Sequence, residues 1–351
     1  MRGSWLSSLS ALILANAAVL LVASALLPAH ASAILQCYAR TFASFGGSRL
    51  TIALTILAAC LLVEMRWLGW QNSALRKLLR PSRSTLHDLI LGMINLSGFS
   101  VVLFLFFTAG VFPVAAGESR RWVAVLGLRP LDSPVLQFAM TLLVREFLGY
   151  WFHRGMHTFA FAWEAHKYHH AATEFTMLTA SRHHIVETAL SHLFLTLPLV
   201  FLGMTGDAFV AITIASDVLG RFNHSRLDWR FGWWGRWLLV SPVTHRIHHS
   251  PQPEHWDKNF SNNLLIWDRL FGTWYAGETV NAVVGVSDNY FERETVVGGY
   301  VNCYRLAVSQ FLRSLFTNEW LLSTRRQRRM AQNEPQLGPE IIDHIPGRRA
   351  A

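Results

Sequence analysis

Residues Leu89 to Gly117 read LILGMINLSGFSVVLFLFFTAGVFPVAAG, 29 consecutive positions without one Asp, Glu, Lys or Arg. About 20 such residues span the hydrocarbon core of a bilayer as a helix. Two further uncharged runs, Trp5 to Leu27 and Thr188 to Gly206, lie on either side of it in the chain. Of all 351 residues, 52% are apolar and only 15% charged, well under the roughly 25% charged fraction of an average soluble domain. This composition excludes a disordered or fibrous protein. The runs imply an all-α fold, a polytopic membrane helical bundle.

The expected spans are Ser8 to Leu27, Leu50 to Trp67, Leu89 to Phe112 and Pro134 to Phe152. Arg2 and the small-x-small stretch Ala29-His30-Ala31 would also suit a cleaved signal peptide, but the apolar run is long for a signal core and favours a retained helix. Arg145 and Glu146 fall inside the fourth span, and intramembrane charge usually faces a polar interior. After Glu187 the apolar pattern is broken by Pro198 and by Gly203-Met-Thr-Gly206, which reads as two half-length helices folded back as a hairpin.

Lys and Arg exceed Asp and Glu by 31 to 22, a net charge of +9. The excess is concentrated in Arg66, Arg76, Lys77, Arg80 and Arg83 and in Arg325, Arg326, Arg328 and Arg329. Beside apolar spans such clusters read as cytoplasmic anchors, and no recognisable nucleic-acid module accompanies them, so no nucleic-acid partner is expected. This orientation makes the chain a multi-pass integral membrane protein. It places the histidine clusters described next and the C-terminus in the cytoplasm, with residues 113–133 outside. Cys37, Cys60 and Cys303 have neither disulfide-scaffold nor metal-type spacing.

Eight of the 16 histidines fall into three tight groups: His153 and His157; His166, His169 and His170; His245, His248 and His249. On a helix, side chains at i and i+4, or at i, i+3 and i+4, share a face. Each group can therefore aim two or three imidazoles at one point, and neutral imidazole is a good ligand for iron, copper and zinc. A single i, i+4 pair would be unremarkable as an interfacial or core feature. Two copies of His-x-x-His-His and one of His-x-x-x-His point to a shared metal site, and eight imidazoles are too many for one ion but suit two. A histidine-rich metal transporter would need polar groups near the membrane midplane, where they are sparse. A haem-binding electron-transfer bundle would need isolated axial histidines, not triplets.

These motifs resemble the membrane-bound fatty acid hydroxylase and sterol desaturase superfamily, whose hallmark is the same three boxes in the same order. Tyr150-Trp-Phe-His-Arg-Gly-Met-His157 and Trp163-Glu-Ala-His-Lys-Tyr-His-His170 look like its first two boxes, and Pro242-Val-Thr-His-Arg-Ile-His-His-Ser250 like its last. Leu178-Thr-Ala-Ser-Arg-His-His-Ile-Val-Glu187 is similar to its Thr-Ala-x-Arg-x-His-Pro-x-Glu segment, with Ile185 where proline is usual. Phe222-Asn-His-Ser225, Asp257-Lys-Asn-Phe260 and Ile266-Trp-Asp-Arg-Leu-Phe-Gly-Thr273 complete a match over about Val135 to Tyr275. The resemblance implies a cytosolic histidine-rich cap holding a non-haem diiron centre. Two iron ions would use dioxygen as co-substrate to hydroxylate or desaturate a C–H bond of a membrane lipid such as a sterol, fatty acyl chain or ether lipid.

The resemblance adds His184 and His224 to the eight box histidines as metal ligands. His183 adjoins His184, and neighbours on a helix point about 100° apart, so only one is expected to coordinate; its spacing to Glu187 selects His184. Glu146, Glu164, Glu187, Asp217, Asp257 and Asp268 are candidate acceptors for the outer N–H of metal-bound imidazoles. Trp267, Phe271 and Trp274 are expected to form a packing plug. The chain divides into an N-terminal transmembrane region (1–133), a catalytic domain (134–275) and a basic cytoplasmic tail (276–351) with an amphipathic helix near Leu306 to Phe316. With no Cys-x-x-Cys and no carrier module in view, electrons are expected from a separate reductase or carrier protein.

Overall fold

In the computed structural model the described residues are chiefly 48–96, 133–184, 206–275 and 294–317, with shorter stretches between and beside them. The expected span Ser8 to Leu27, most of Leu89 to Phe112, the turn of the hairpin near Gly203 and the Arg-rich tail lie outside them. The described residues are helical, with isolated β-bridges at Phe159–Leu321 and Leu239–Leu264 and no strand.

Among the described residues ten α-helices are delimited: α1 (Ser48–Leu68), α2 (Ala74–Leu79), α3 (Arg83–Leu96), α4 (Pro134–Thr158), α5 (Ala160–His170), α6 (Gly206–Asn223), α7 (Gly232–Trp237), α8 (Pro242–His248), α9 (Ile266–Leu270) and α10 (Val296–Ser314). Among the described residues, α1 alone is long and apolar enough to cross a membrane, over Thr51–Leu68, within a residue or so of the expected Leu50 to Trp67. The multi-pass arrangement is thus represented here by a single candidate span.

Ser133 caps α4 by accepting from the Leu136 N–H at 3.4 Å, and Pro134 takes the first helical position, where its missing N–H costs nothing. The helix runs past the expected Phe152 to Thr158 and so carries His153 and His157 on its last two turns. Its two internal charges face inward. Arg145 donates to Ser216 Oγ at 2.9 Å, and Glu146 accepts from Asn263 N, Asn263 Nδ2 and Leu264 N at 3.0, 2.7 and 3.1 Å.

Phe159 alone separates α4 from α5, in an extended conformation that ends one helix and starts the next. This corner aims the histidines of α4 at those of α5. Nearly every residue of α5 is buried, because α10 covers its other side: Cys303 donates its S–H to Glu164 O at 2.8 Å and Phe161 meets Phe311. The amphipathic helix expected near Leu306 therefore starts earlier, at Val296, and belongs to the packing of the histidine-bearing helices.

The segment after α5 is pinned to α3. Buried Arg182 reaches Asp88 at 3.3 Å, Tyr168 O at 3.0 Å and Ser84 Oγ at 3.1 Å, while Thr176 and Thr179 donate to the other Asp88 oxygen. This accounts for the Thr-Ala-x-Arg motif as a tether. On the far side, Glu64 of α1 is fully buried and accepts from Ala74 N at 2.8 Å and Arg226 N at 3.4 Å, tying the candidate span to the turn after His224.

Candidate metal centre

The histidines of α4, α5 and α8 meet in one buried core with His224, just after α6, and His249, just after α8. Their ligating nitrogens form two groups, within each of which all lie within 4.8 Å of one another: His153, His157, His166, His170 and His248 in the first, His169, His224, His245 and His249 in the second. The groups cut across the sequence motifs. On α5, His166 and His170, four positions apart, share one side, while His169, one position and so about 100° around the helix from His170, joins the other group; the third box divides in the same way, His248 joining the first group and His245 and His249, four apart, the second.

Within the groups Nε2 atoms face one another. The separations are 3.1 Å for His153–His166 and His157–His170, 3.0 Å for His153–His248, 3.1 Å for His169–His224 and 2.9 Å for His224–His245. Two nitrogens each about 2.1 Å from an ion and at right angles to each other are separated by about 3.0 Å.

The outer nitrogens decide what the inner ones can be. His153 Nδ1 lies 2.7 Å from Phe260 O, His248 Nδ1 2.7 Å from Lys258 O, and His166 Nδ1 2.8 Å from Glu187 Oε1. Carbonyl and carboxylate oxygens only accept, so each Nδ1 carries the proton and each neutral ring presents a bare Nε2 lone pair inward. His153 thus points a lone pair at His166 and another ring's lone pair at itself, from His248, with no proton between them. Such contacts repel unless a cation sits at their focus. In the second group His224 is fixed in the same way, by Gly220 O at 2.7 Å. Among the described residues, the buried Nδ1 atoms of His169 and His245 have no hydrogen-bond partner, and His249 has none for either nitrogen. The donor set fits metal ions.

Protonation does not relieve the repulsion. Burial, with the neighbouring imidazoles adding to it, holds His153, His169, His170, His245 and His249 well below the usual histidine range. Burial likewise brings His224 and His248 down to about 3.

Backbone carbonyls as anchors for these rings were not visible in the sequence. Asp257 and Asn259 flank Lys258 in the left-handed region, both at φ 58°, a conformation that Asn and Asp tolerate better than most residues. The resulting turn sends Lys258 O to His248 and Phe260 O to His153. Asn259 fixes it by donating to Thr244 O and Tyr275 O and accepting from Tyr275 N. Asp268 holds the next step, accepting from Phe260 N and Ser261 N at 2.8 Å each. Of the six candidate carboxylates, Glu187 accepts from His166 of the first group; Glu146 and Asp268 position backbone, Glu164 pairs with Lys167 at 2.8 Å and Asp217 with Arg221 at 2.8 Å.

His184, expected as a ligand, lies outside both groups. It is fully buried, with its ring against Tyr304 at a centroid distance of 6.4 Å. Its neighbour His183 stacks on His169 at 4.6 Å, but both its nitrogens are engaged, with Glu187 Oε1 at 3.1 Å and Ala180 O at 3.0 Å. Burial pulls the His183 pKa down, yet the Glu187 carboxylate more than offsets this and raises it. Burial also pushes Glu187 up, and its two histidine partners more than reverse that, holding the carboxylate well below its usual range. His224 joins the second group. The aromatic residues near α9 do pack together: Phe271 stacks on Tyr150 at 5.2 Å, and Trp267 meets Phe147 at 5.1 Å.

The sequence profile of the fatty acid hydroxylase family matches residues 138–273, the stretch that holds both histidine groups. Residues 138–273 belong to that family. An alkylglycerol monooxygenase of Xenopus tropicalis is 34% identical over 145 residues, 41% of this chain and 31% of its own length. An ornithine lipid hydroxylase of Rhizobium tropici is 30% identical over 139 residues, 40% of this chain and 42% of its own. A very-long-chain aldehyde decarbonylase of Oryza sativa is 27% identical over 138 residues, 36% of this chain and 22% of its own. The chain thus spans less than half the length of these curated relatives. No solved structure matches it significantly.

Proposed function

We propose that the chain is a membrane-bound, dioxygen-dependent oxidoreductase that hydroxylates a C–H bond of a membrane lipid, with two iron ions held by the two histidine groups. The observation that carries this reading is the convergence of bare Nε2 lone pairs from His153, His166 and His248, whose protons are committed to outward acceptors. Iron bound there would supply the activation of dioxygen and the oxidising power for the C–H bond. The net reaction puts one oxygen atom on the lipid carbon and reduces the other to water, with two electrons and two protons from outside the chain. The electrons come from a separate reductase or carrier protein.

The residues of the chain position and shield. The carbonyls of Lys258, Phe260 and Gly220 and the Glu187 carboxylate fix ring orientation and tautomer, which keeps the inner nitrogens available at neutral pH. Burial of all nine grouped histidines keeps bulk water from the reacting centre.

A lipid substrate is supported by the relatives' names, which include a monooxygenase and a hydroxylase of lipids, and by the surface of α4. There Val135, Leu136, Phe138 and Leu143 are exposed at 79, 47, 41 and 40%, a lining suited to acyl chains rather than water. A lipid that stays in the bilayer avoids about 0.8 kcal/mol for each CH₂ it would otherwise expose. The basic cluster after α1 orients the chain with its histidine core in the cytoplasm. Lipid profiling of cells with and without the protein, grown under isotopically labelled dioxygen, tests the reading. A lipid carrying one labelled hydroxyl is expected; an unlabelled alkene would mean desaturation, and turnover undiminished without dioxygen would eliminate an oxygenase.

A further inference from the structure

The segment Arg226 to Trp237, RLDWRFGWWGRW, holds five aromatic residues and three arginines in 12 positions, and the histidine core makes no use of it. Phe231 and Gly232 are both left-handed, at φ 55° and 53°, so the chain doubles back sharply before α7. At Gly235 any Cβ would fall 1.9 Å from Arg230 O; only glycine lets α7 lie flat on the strand of chain before it. The bend leaves Trp233, Trp234 and Trp237 outward, 63, 56 and 47% exposed. Arg269 is clamped between Trp237 and Trp274, 4.1 and 3.7 Å from their ring centroids, which seats α7 beside α9, whose Leu270 is 66% exposed.

Three indoles left in water are costly, and an occupant of this face would relieve that cost. Two observations say which. Trp229 meets Trp67 at a ring-centroid distance of 5.4 Å, and Trp67 is in the last turn of α1, the helix apolar enough to cross a bilayer. The segment therefore lies at the level where that helix leaves the hydrocarbon. Its exposed charges are mainly cationic: Arg226, Arg230 and Arg236 against Asp228, which pairs with Arg246 at 3.0 Å. Indole rings beside arginines are the chemistry of the headgroup region of a bilayer, and of anionic lipid surfaces in particular.

We propose that α7 is an interfacial anchor that beds Trp233, Trp234 and Trp237 in the headgroup layer of an anionic phospholipid membrane and so sets the height of the histidine core above the bilayer. From Trp237 the chain needs only four residues to reach α8, so the anchor and His245, His248 and His249 are rigidly near one another in sequence. This rests on the reading of α1 as membrane-spanning.

The test uses the full chain in vesicles of phosphatidylcholine with phosphatidylglycerol, brominated either near the headgroup end or near the methyl end of the acyl chain. Tryptophan quenching is compared between wild type and a Trp233→Phe/Trp234→Phe/Trp237→Phe variant, which keeps the apolar bulk and so the fold. Three of the 14 tryptophans are lost, so shallow-label quenching should fall by about a fifth or more, and deep-label quenching should hardly change. An Arg230→Gln/Arg236→Gln variant should lose the gain that phosphatidylglycerol gives over pure phosphatidylcholine. Unchanged shallow quenching in an integrally inserted protein overturns the anchor alone, whether the face is then bare or meets another protein. A chain stripped from vesicles by alkaline carbonate overturns the membrane reading and the anchor with it.

Discussion

Replacing Glu187 by Gln keeps the shape of the side chain and removes its charge. In the native protein one oxygen, Oε1, accepts from both His166 Nδ1 at 2.8 Å and His183 Nδ1 at 3.1 Å. The first of these bonds fixes the tautomer that turns His166 Nε2 inward. Hydrogen bonds to a charged group contribute about 1.5 to 3 kcal/mol, and partners behind metal-bound histidines typically account for 10- to 100-fold in metal affinity. A tenfold change corresponds to about 1.4 kcal/mol, so the two estimates agree. Gln retains a neutral acceptor, so Glu187→Gln should weaken iron binding about tenfold and Glu187→Ala about a hundredfold. Titration of the metal-free protein in detergent against a competing iron chelator reads both. His183→Ala, which leaves the His166 bond intact, should have a smaller effect than either. Wild-type affinity in Glu187→Ala would refute the claim that this carboxylate orients His166.

Asp88 and Arg182 are both almost fully buried, and removing one partner of such a pair costs on the order of 3 to 5 kcal/mol; Asp88→Ala should lower the melting temperature sharply, and an unchanged melting curve would remove the tether from the account. The metal-free protein should be acid-sensitive. His224 and His248 fall from 6.5 in the unfolded chain to about 3 when folded, so the unfolded state binds more protons between those values. Their contribution is intact above about pH 6.5 and is lost as pH falls toward 3, at about 1.4 kcal/mol per histidine for each pH unit. Chemical denaturation from neutral to mildly acid pH should show stability falling, and a flat profile would mean that these rings are not buried neutral. Single cysteines at Ser119 and Ser323 should be labelled from opposite sides of the membrane; labelling of both from one side would contradict the orientation.

The helical class, α1 and eight of the nine histidines that form the two groups were legible because spacing carries them: uncharged length for the helix, and i, i+3 and i+4 repeats for the boxes; the ninth, His224, came from the resemblance of Phe222-Asn-His-Ser225 to the family's motif. The division into two groups was not, since His169 and His170 are neighbours in the chain and part company only through the 100° step of the helix. His184 was selected by its distance in sequence from Glu187, whereas the turn after Ser181 presents His183 to that carboxylate and His184 toward Tyr304. Asp88 was hidden for another reason. Its partners Thr176, Thr179 and Arg182 lie some 90 positions along the chain, and no local pattern signals so distant a pairing. The roles of Lys258 and Phe260 reside in their backbone carbonyls, to which side-chain identity is blind; only the left-handed tolerance of Asp257 and Asn259 leaves a trace in the sequence.

The metal content of the purified, detergent-solubilised chain tests the central claim most directly. Two iron ions per chain are expected by elemental analysis. His248→Ala and His169→Ala, one from each group, should each sharply reduce that content and abolish lipid oxidation. A wild-type protein that holds a single ion, or either variant retaining full iron and full activity, would contradict a paired centre built from the two histidine groups.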